Sequence, residues 1–170
     1  MQSKRGQIWV ETVIYILIAL IMIGAVLAFI NPKIKEIQDK LTLDKTVELL
    51  EGLDSKITEV SAGVGNKRIV NIEIKRGELV IGTGQSQNEI IYTLEESNVA
   101  YSEPVAEDVF TPYGKVSVNT VKKGDVYKVK LKIESSNTLN YVGTQLIKSS
   151  SAYKLSITNL GGTIDIELIS

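Results

Sequence analysis

The sequence predicts an α+β chain. A long N-terminal helix, transmembrane in its lower half and amphipathic in its upper half, with a kink near Pro32, leads into an all-β, sandwich-like head. Three observations carry this expectation. Residues 12–30 form one apolar run without a charged side chain. Apolar residues then recur at helical spacing from Ile34 to Val60. Beyond that, short alternating segments are separated by Gly- and Asn-bearing turns.

At about 1.5 Å per residue, the run at 12–30 covers roughly 28 Å, close to the hydrocarbon thickness of a bilayer. Trp9 and Tyr15 lie near one end, where amphipathic rings favour the membrane interface. The run ends in Phe29-Ile30-Asn31-Pro32, without the small-residue exit of a cleaved secretory signal, so it reads as a retained anchor. Lys4 and Arg5 stand on one flank; Lys33, Lys35 and Lys40 stand on the other, interleaved with Glu36 and Asp39. Counting Lys and Arg alone does not choose an orientation.

Pro32 removes one helical hydrogen bond and favours a bend. After it, Ile34, Ile37, Leu41, Leu43, Val47, Leu50, Ile57 and Val60 form a stripe expected to cover the chain's own C-terminal region. Gly52 weakens the helix locally, and residues 61–66 stop it.

The remainder reads as β. Strands are expected at 68–75 and 78–81, joined as partners by the Arg76-Gly77 turn. Residues 82–88 are a loop. Further strands follow at 89–94, 115–118 and 126–134, in a segment at 139–147, and at 153–158 and 163–169. Asn159-Leu160-Gly161-Gly162 joins the last two as a hairpin. In 126–134, Lys128, Lys130 and Lys132 alternate with Val129, Leu131 and Ile133, and the lysines are expected to face solvent.

Composition narrows the chemistry. The 170 residues suit one globular domain plus an anchor. The formal net charge of −1 provides no basic face for nucleic acid. Histidine and cysteine are both absent, which removes disulfides, thiolate nucleophiles, imidazole bases and Cys/His zinc sites. No cofactor, metal or catalytic residue is expected, and an anchored enzyme is a distant reading. Gly82-Thr83-Gly84 lacks the following helix of a phosphate loop and reads as a hairpin loop. Glu103, Glu107 and Asp108 lack a twelve-residue calcium-loop pattern and read as a solvated acidic loop.

One carboxylate, Glu11, sits at the edge of the apolar run. Charges at a bilayer centre cost on the order of 2.5–3.5 kcal/mol on insertion scales, so this group needs either a partner or hydration. Gln7 lies at i−4 on the same helix face. Lys4-Arg5-Gly6 followed by Gln7, with Glu11 fifth after the Gly-Gln junction, resembles the class III signal of type IV pilins. The resemblance is specific over residues 4–30, is looser beyond, and is nearest to the archaeal pilin and archaellin branch. There, a membrane-embedded aspartyl peptidase cuts after the Gly on the cytoplasmic side, the leader is lost and the apolar helix stays. The resemblance therefore implies leader charge at Lys4 and Arg5, cleavage between Gly6 and Gln7, and a subunit-docking role for Glu11 against a neighbour's freed α-ammonium. It also implies a cytoplasmic N-terminus and an all-β head outside the cell. Gln7 replaces the Phe common in bacterial members, and no Asn-x-Ser/Thr sequon occurs.

The expected organisation is a leader at 1–6, a helix at 7–62 with its span at 12–30, a linker at 63–66 and an extracellular β-rich region at 67–170. The expected function is a structural subunit of a pilus-like or archaellum-like filament. Its expected partners are the lipid membrane, a prepilin peptidase and further copies of itself, with no nucleic acid and no small-molecule substrate. The alternative is a single-span surface protein that never polymerises and whose β-domain binds a partner.

Overall fold

The computed structural model describes residues 4–83, 86–143, 146–147 and 151–169; the side chains of residues 4–8, 83, 86 and 147 lie outside that description. Two compact units divide the chain, Met1–Gln38 and Asp39–Ser170. A single α-helix, α1 (Lys4–Ser61), continues through Pro32 as expected. The second unit contains the last part of this helix, about six turns, followed by the β head.

Ten strands follow: β1 (Lys67–Ile72), β2 (Glu78–Thr83), β3 (Ser86–Ser97), β4 (Thr111–Tyr113), β5 (Val116–Lys123), β6 (Val126–Glu134), β7 (Thr138–Val142), β8 (Leu146–Ile147), β9 (Tyr153–Asn159) and β10 (Thr163–Ile169). They form a four-stranded sheet, β1-β9-β10-β7, and a six-stranded sheet, β4-β5-β6-β3-β2-β8. Pairing is antiparallel except between β10 and β7, where Ile164 faces Leu139 in a parallel register. The architecture is the expected α+β: a long helix, then two packed sheets.

Leu43, Leu50, Leu53, Ile57 and Val60 of α1 are buried in one core with Leu155, Ile157 and Ile166 of the smaller sheet and Ile81, Ile90, Val118, Val129 and Leu131 of the larger. Burial of each such side chain contributes about 1.5–3 kcal/mol, which exceeds any helical propensity in this stretch. The buried positions 39, 43, 46, 50, 53, 57 and 60 alternate spacings of four and three, one continuous helix face.

Two sequence expectations need correction here. The apolar stripe does not run unbroken onto the head. Leu41 is 52% exposed, and Ile34 and Ile37 are exposed as well. Leu41 and Leu43 are two residues apart, about 200° around a helix, so they belong to different faces. Equally, β1 and β2 are not partners. The Arg76-Gly77 turn separates a strand that pairs with β9 from one that pairs with β3 and β8. The turn thus switches sheets instead of closing a hairpin. The Asn159–Gly162 turn behaves as expected and closes β9 onto β10. β2 joins β3 as a hairpin, but the expected loop at 82–88 is too long: Gly82 and Thr83 belong to β2 and residues 86–88 to β3, while Gly84 and Gln85 lie outside the described residues.

Candidate functional site

The N-terminal helix is the first candidate site. Its apolar stretch makes it the one helix among the described residues long and apolar enough to cross a membrane. None of that stretch is buried within the chain. Large side chains are bare throughout: Trp9, Tyr15, Ile21 and Phe29 are all more than three-fifths exposed. Water is a poor solvent for such a face, so its stable surroundings are lipid tails or other apolar helices. Glu11 is exposed on this helix. Lys4, Arg5, Gly6 and Gln7 belong to the same helix, and their side chains lie outside the described residues. These are compatible features of a single-pass anchor.

A second constellation lies where α1 enters the head. Asp39, read from sequence as a flanking charge, is fully buried. Arg76 Nη1 donates to its Oδ1, and the Asn98 backbone N–H and Nδ2 both donate to its Oδ2 at 2.7 Å. Arg76 Nη2 also donates to the Glu96 carbonyl (3.0 Å), and Tyr92 O–H donates to the Arg76 carbonyl (2.7 Å). Burial raises the Tyr92 phenol above its usual range, as suits a hydroxyl that remains a donor. One carboxylate therefore ties the helix to the β1–β2 turn and to the segment after β3. One turn and a little further on, Tyr101 O–H donates to Asp44 Oδ1 (2.8 Å). Burial first, and then that carboxylate, push the Tyr101 phenol up.

The far end of α1 is held by Asn159. Its Nδ2 donates to the carbonyls of Val60, Ser61 and Gly63 at 3.3, 3.3 and 3.1 Å, and its Oδ1 accepts from the Gly161 N–H. The orphan carbonyls of a helix C-terminus are thus met by a residue nearly a hundred positions later.

On the outer side of the larger sheet, the lysines of β6 are not a solvated row. The side chains of Lys128, Lys130 and Lys132 are only 15%, 18% and 16% exposed. Lys128 contacts Glu95 at 2.6 Å and Glu107 at 3.9 Å. Lys130 contacts Asp108 at 2.8 Å, and Lys132 contacts Glu134 at 2.8 Å and Glu89 at 3.2 Å. The acidic loop that the sequence left in solvent supplies two of these partners. The hydrogen bond from Lys130 holds the Asp108 carboxyl below the usual range, as the one from Lys128 does for Glu95. Hydrogen bonds to Glu134 and to Glu95 raise the Lys132 and Lys128 ammonium groups in turn.

No protein-family model, curated protein or solved structure matches this chain. The residues alone must therefore carry its function. Among the described residues, no group of three or more His, Cys, Asp or Glu side chains could hold a metal ion. Glu78, Glu95 and Glu96 line an open groove beside Arg76, and Glu95 is engaged by Lys128 and Lys123. What the arrangement offers is an exposed apolar helix and a rigidly clamped head. Asp39 and Asn159 escaped the sequence reading because each looks like an ordinary polar surface residue. A heptad count through 39, 43, 46 and 50 would have placed Asp39 on the buried face.

Proposed function

We propose that the protein is a structural subunit of a type IV pilus-like or archaellum-like surface filament. It is made as a precursor, cut between Gly6 and Gln7, and assembled through its apolar N-terminal helix with the head outside the cell. The observation that carries this reading is the helix whose apolar stretch the chain itself leaves wholly bare. A lone span needs lipid only over about 30 Å. Here Ile34 and Ile37 extend the bare apolar surface roughly 6 and 10 Å past Ile30. That excess favours coverage by neighbouring helices over a non-polymerising single span, the alternative reading. In such a bundle, helices already surrounded by apolar tails gain through close contact and through pairing of polar groups. Glu11 then sets register by meeting the α-ammonium of a neighbour's Gln7.

Mass spectrometry of the mature N-terminus tests the first step. A chain starting at Gln7 supports processing, and one starting at Met1 in cells with a peptidase of the right class refutes it. Glu11→Ala tests the second. Membrane insertion should persist while filament incorporation falls at least about tenfold, a loss of some 1.4 kcal/mol per contact. Unchanged incorporation would remove the docking role of Glu11.

A further inference from the structure

Residues 103–110 cross the outer side of β5 and β6 without regular structure. They present one group to each lysine of β6 in turn. Glu107 faces Lys128 (3.9 Å), Asp108 faces Lys130 (2.8 Å), and the Phe110 ring lies 4.8 Å beneath the Lys132 ammonium. Asn119, directly opposite Lys130 in the β5–β6 register, donates through Nδ2 to the carbonyls of Ala106 (2.9 Å) and Val109 (2.6 Å). Both ends of the segment are tied. Val105 N–H and Ser102 Oγ bond to Thr120 on one side, and β4 pairs with β5 on the other.

What holds the middle is polar. Ala106, Glu107, Asp108 and Val109 are all exposed, so little apolar area is lost if they lift. Two features favour lifting. Asp108 has φ of 67°, the left-handed region that costs a residue with a Cβ. Asn119 is fully buried, yet its Oδ1 has no hydrogen-bond partner and would gain water on opening. Glu107 and Asp108 are 58% and 77% exposed, so their pairs with Lys128 and Lys130 weaken as salt shortens the screening length from about 10 Å at 0.1 M to about 3 Å at 1 M.

We propose that residues 103–110 are an ion-latched strap, closed over the β6 lysines at low ionic strength and lifted at high ionic strength. Opening parts Lys130 from Asp108 and Lys128 from Glu107, while Lys128 keeps Glu95 and Lys132 keeps Glu89 and Glu134.

Lysine acetylation read by peptide mass spectrometry on the full chain in detergent tests this, with hydrogen exchange of β6 amides recorded in parallel. At 0.05 M salt, Lys128, Lys130 and Lys132 should react at least about fivefold more slowly than the exposed Lys115 and Lys122, in line with their burial. At 1 M salt, that protection should fall at least about threefold while β6 amides stay protected, because screening releases the strap and leaves the sheet intact. The double variant Glu107→Gln/Asp108→Asn should show the open pattern already at 0.05 M. Protection that neither salt nor the variant changes overturns the strap. So does equal reactivity of all five lysines at low salt. Loss of protection accompanied by faster β6 amide exchange also overturns it, since the head would then be unfolding as a whole.

Discussion

The buried carboxylate Asp39 and its partner Arg76 are not equally exposed, and the difference predicts an asymmetry. Asp39 is 0% exposed whereas the Arg76 side chain is 38% exposed. Removing Arg76 strands a carboxylate that cannot reach water. Breaking a buried pair in this way costs about 3–5 kcal/mol, and here the two bonds from Asn98 remain as partial compensation, so Arg76→Ala should cost about 3 kcal/mol. Removing Asp39 leaves a guanidinium that can turn outward, together with the backbone N–H of Asn98 without its acceptor. An unmet buried donor costs about 1–3 kcal/mol, so Asp39→Ala should cost about 2 kcal/mol. Arg76→Ala should therefore be the more damaging single change. The double variant should be no worse than Arg76→Ala alone, because the second substitution deletes the stranded charge. Urea unfolding of the full chain in mild detergent, followed by far-UV circular dichroism, measures all three. Trp9 lies outside the head unit, so tyrosine fluorescence is the better second probe. A larger loss for Asp39→Ala, or strict additivity in the double variant, would refute the reasoning.

Other perturbations test the remaining contacts. Asn159→Ala should lower head stability by about 1–3 kcal/mol, from the carbonyls it leaves unmet, and hydrogen exchange should quicken around residues 60–66. Leu43→Ala should cost about 2–5 kcal/mol, whereas Leu41→Ala, at an exposed position, should change head stability by less than about 0.5 kcal/mol. Gly77 and Gly124 both have positive φ, at 76° and 64°. Only at Gly77 would a Cβ meet atoms, Thr93 O at 2.5 Å and the Tyr92 hydroxyl at 2.6 Å. Gly124→Ala should cost about 1–2 kcal/mol for the backbone alone, and Gly77→Ala upward of about 3 kcal/mol once overpacking is added; thermal melts compare them. By NMR titration, Asp108 and Glu95 should release their protons below their ordinary values of 3.8 and 4.5. Their folded pKa values are depressed, so their contribution is present above the unfolded values and lost as pH falls through the folded ones. Lys130→Met should return Asp108 to its ordinary range.

Periodicity exposed most of this fold because local pattern and tertiary environment agree there. The bounds of β6 and β10 were readable from alternation alone, since one face of each strand is core and the other polar. The three-residue β4 left no such signal, because Thr111, Pro112 and Tyr113 are all exposed and pair only at a sheet edge. Pairing across distance was equally hidden. Nothing local in Lys67–Ile72 says that its partner is Tyr153–Asn159 and not the strand after the next turn. The same limit explains the polar misreadings. Lys128, Lys130 and Lys132 alternate as a solvated face would, and Glu107 and Asp108 look like an ordinary acidic loop. Only the chain's path brings the two sets together and buries most of each lysine. For the N-terminal region the position is reversed. The apolar run, the Gly6-Gln7 junction and Glu11 are plain in the sequence. Within the single chain, the decisive fact is the phase change between Leu41 and Leu43. One helix face is buried in the head, and on another Ile34, Ile37 and Leu41 stay exposed.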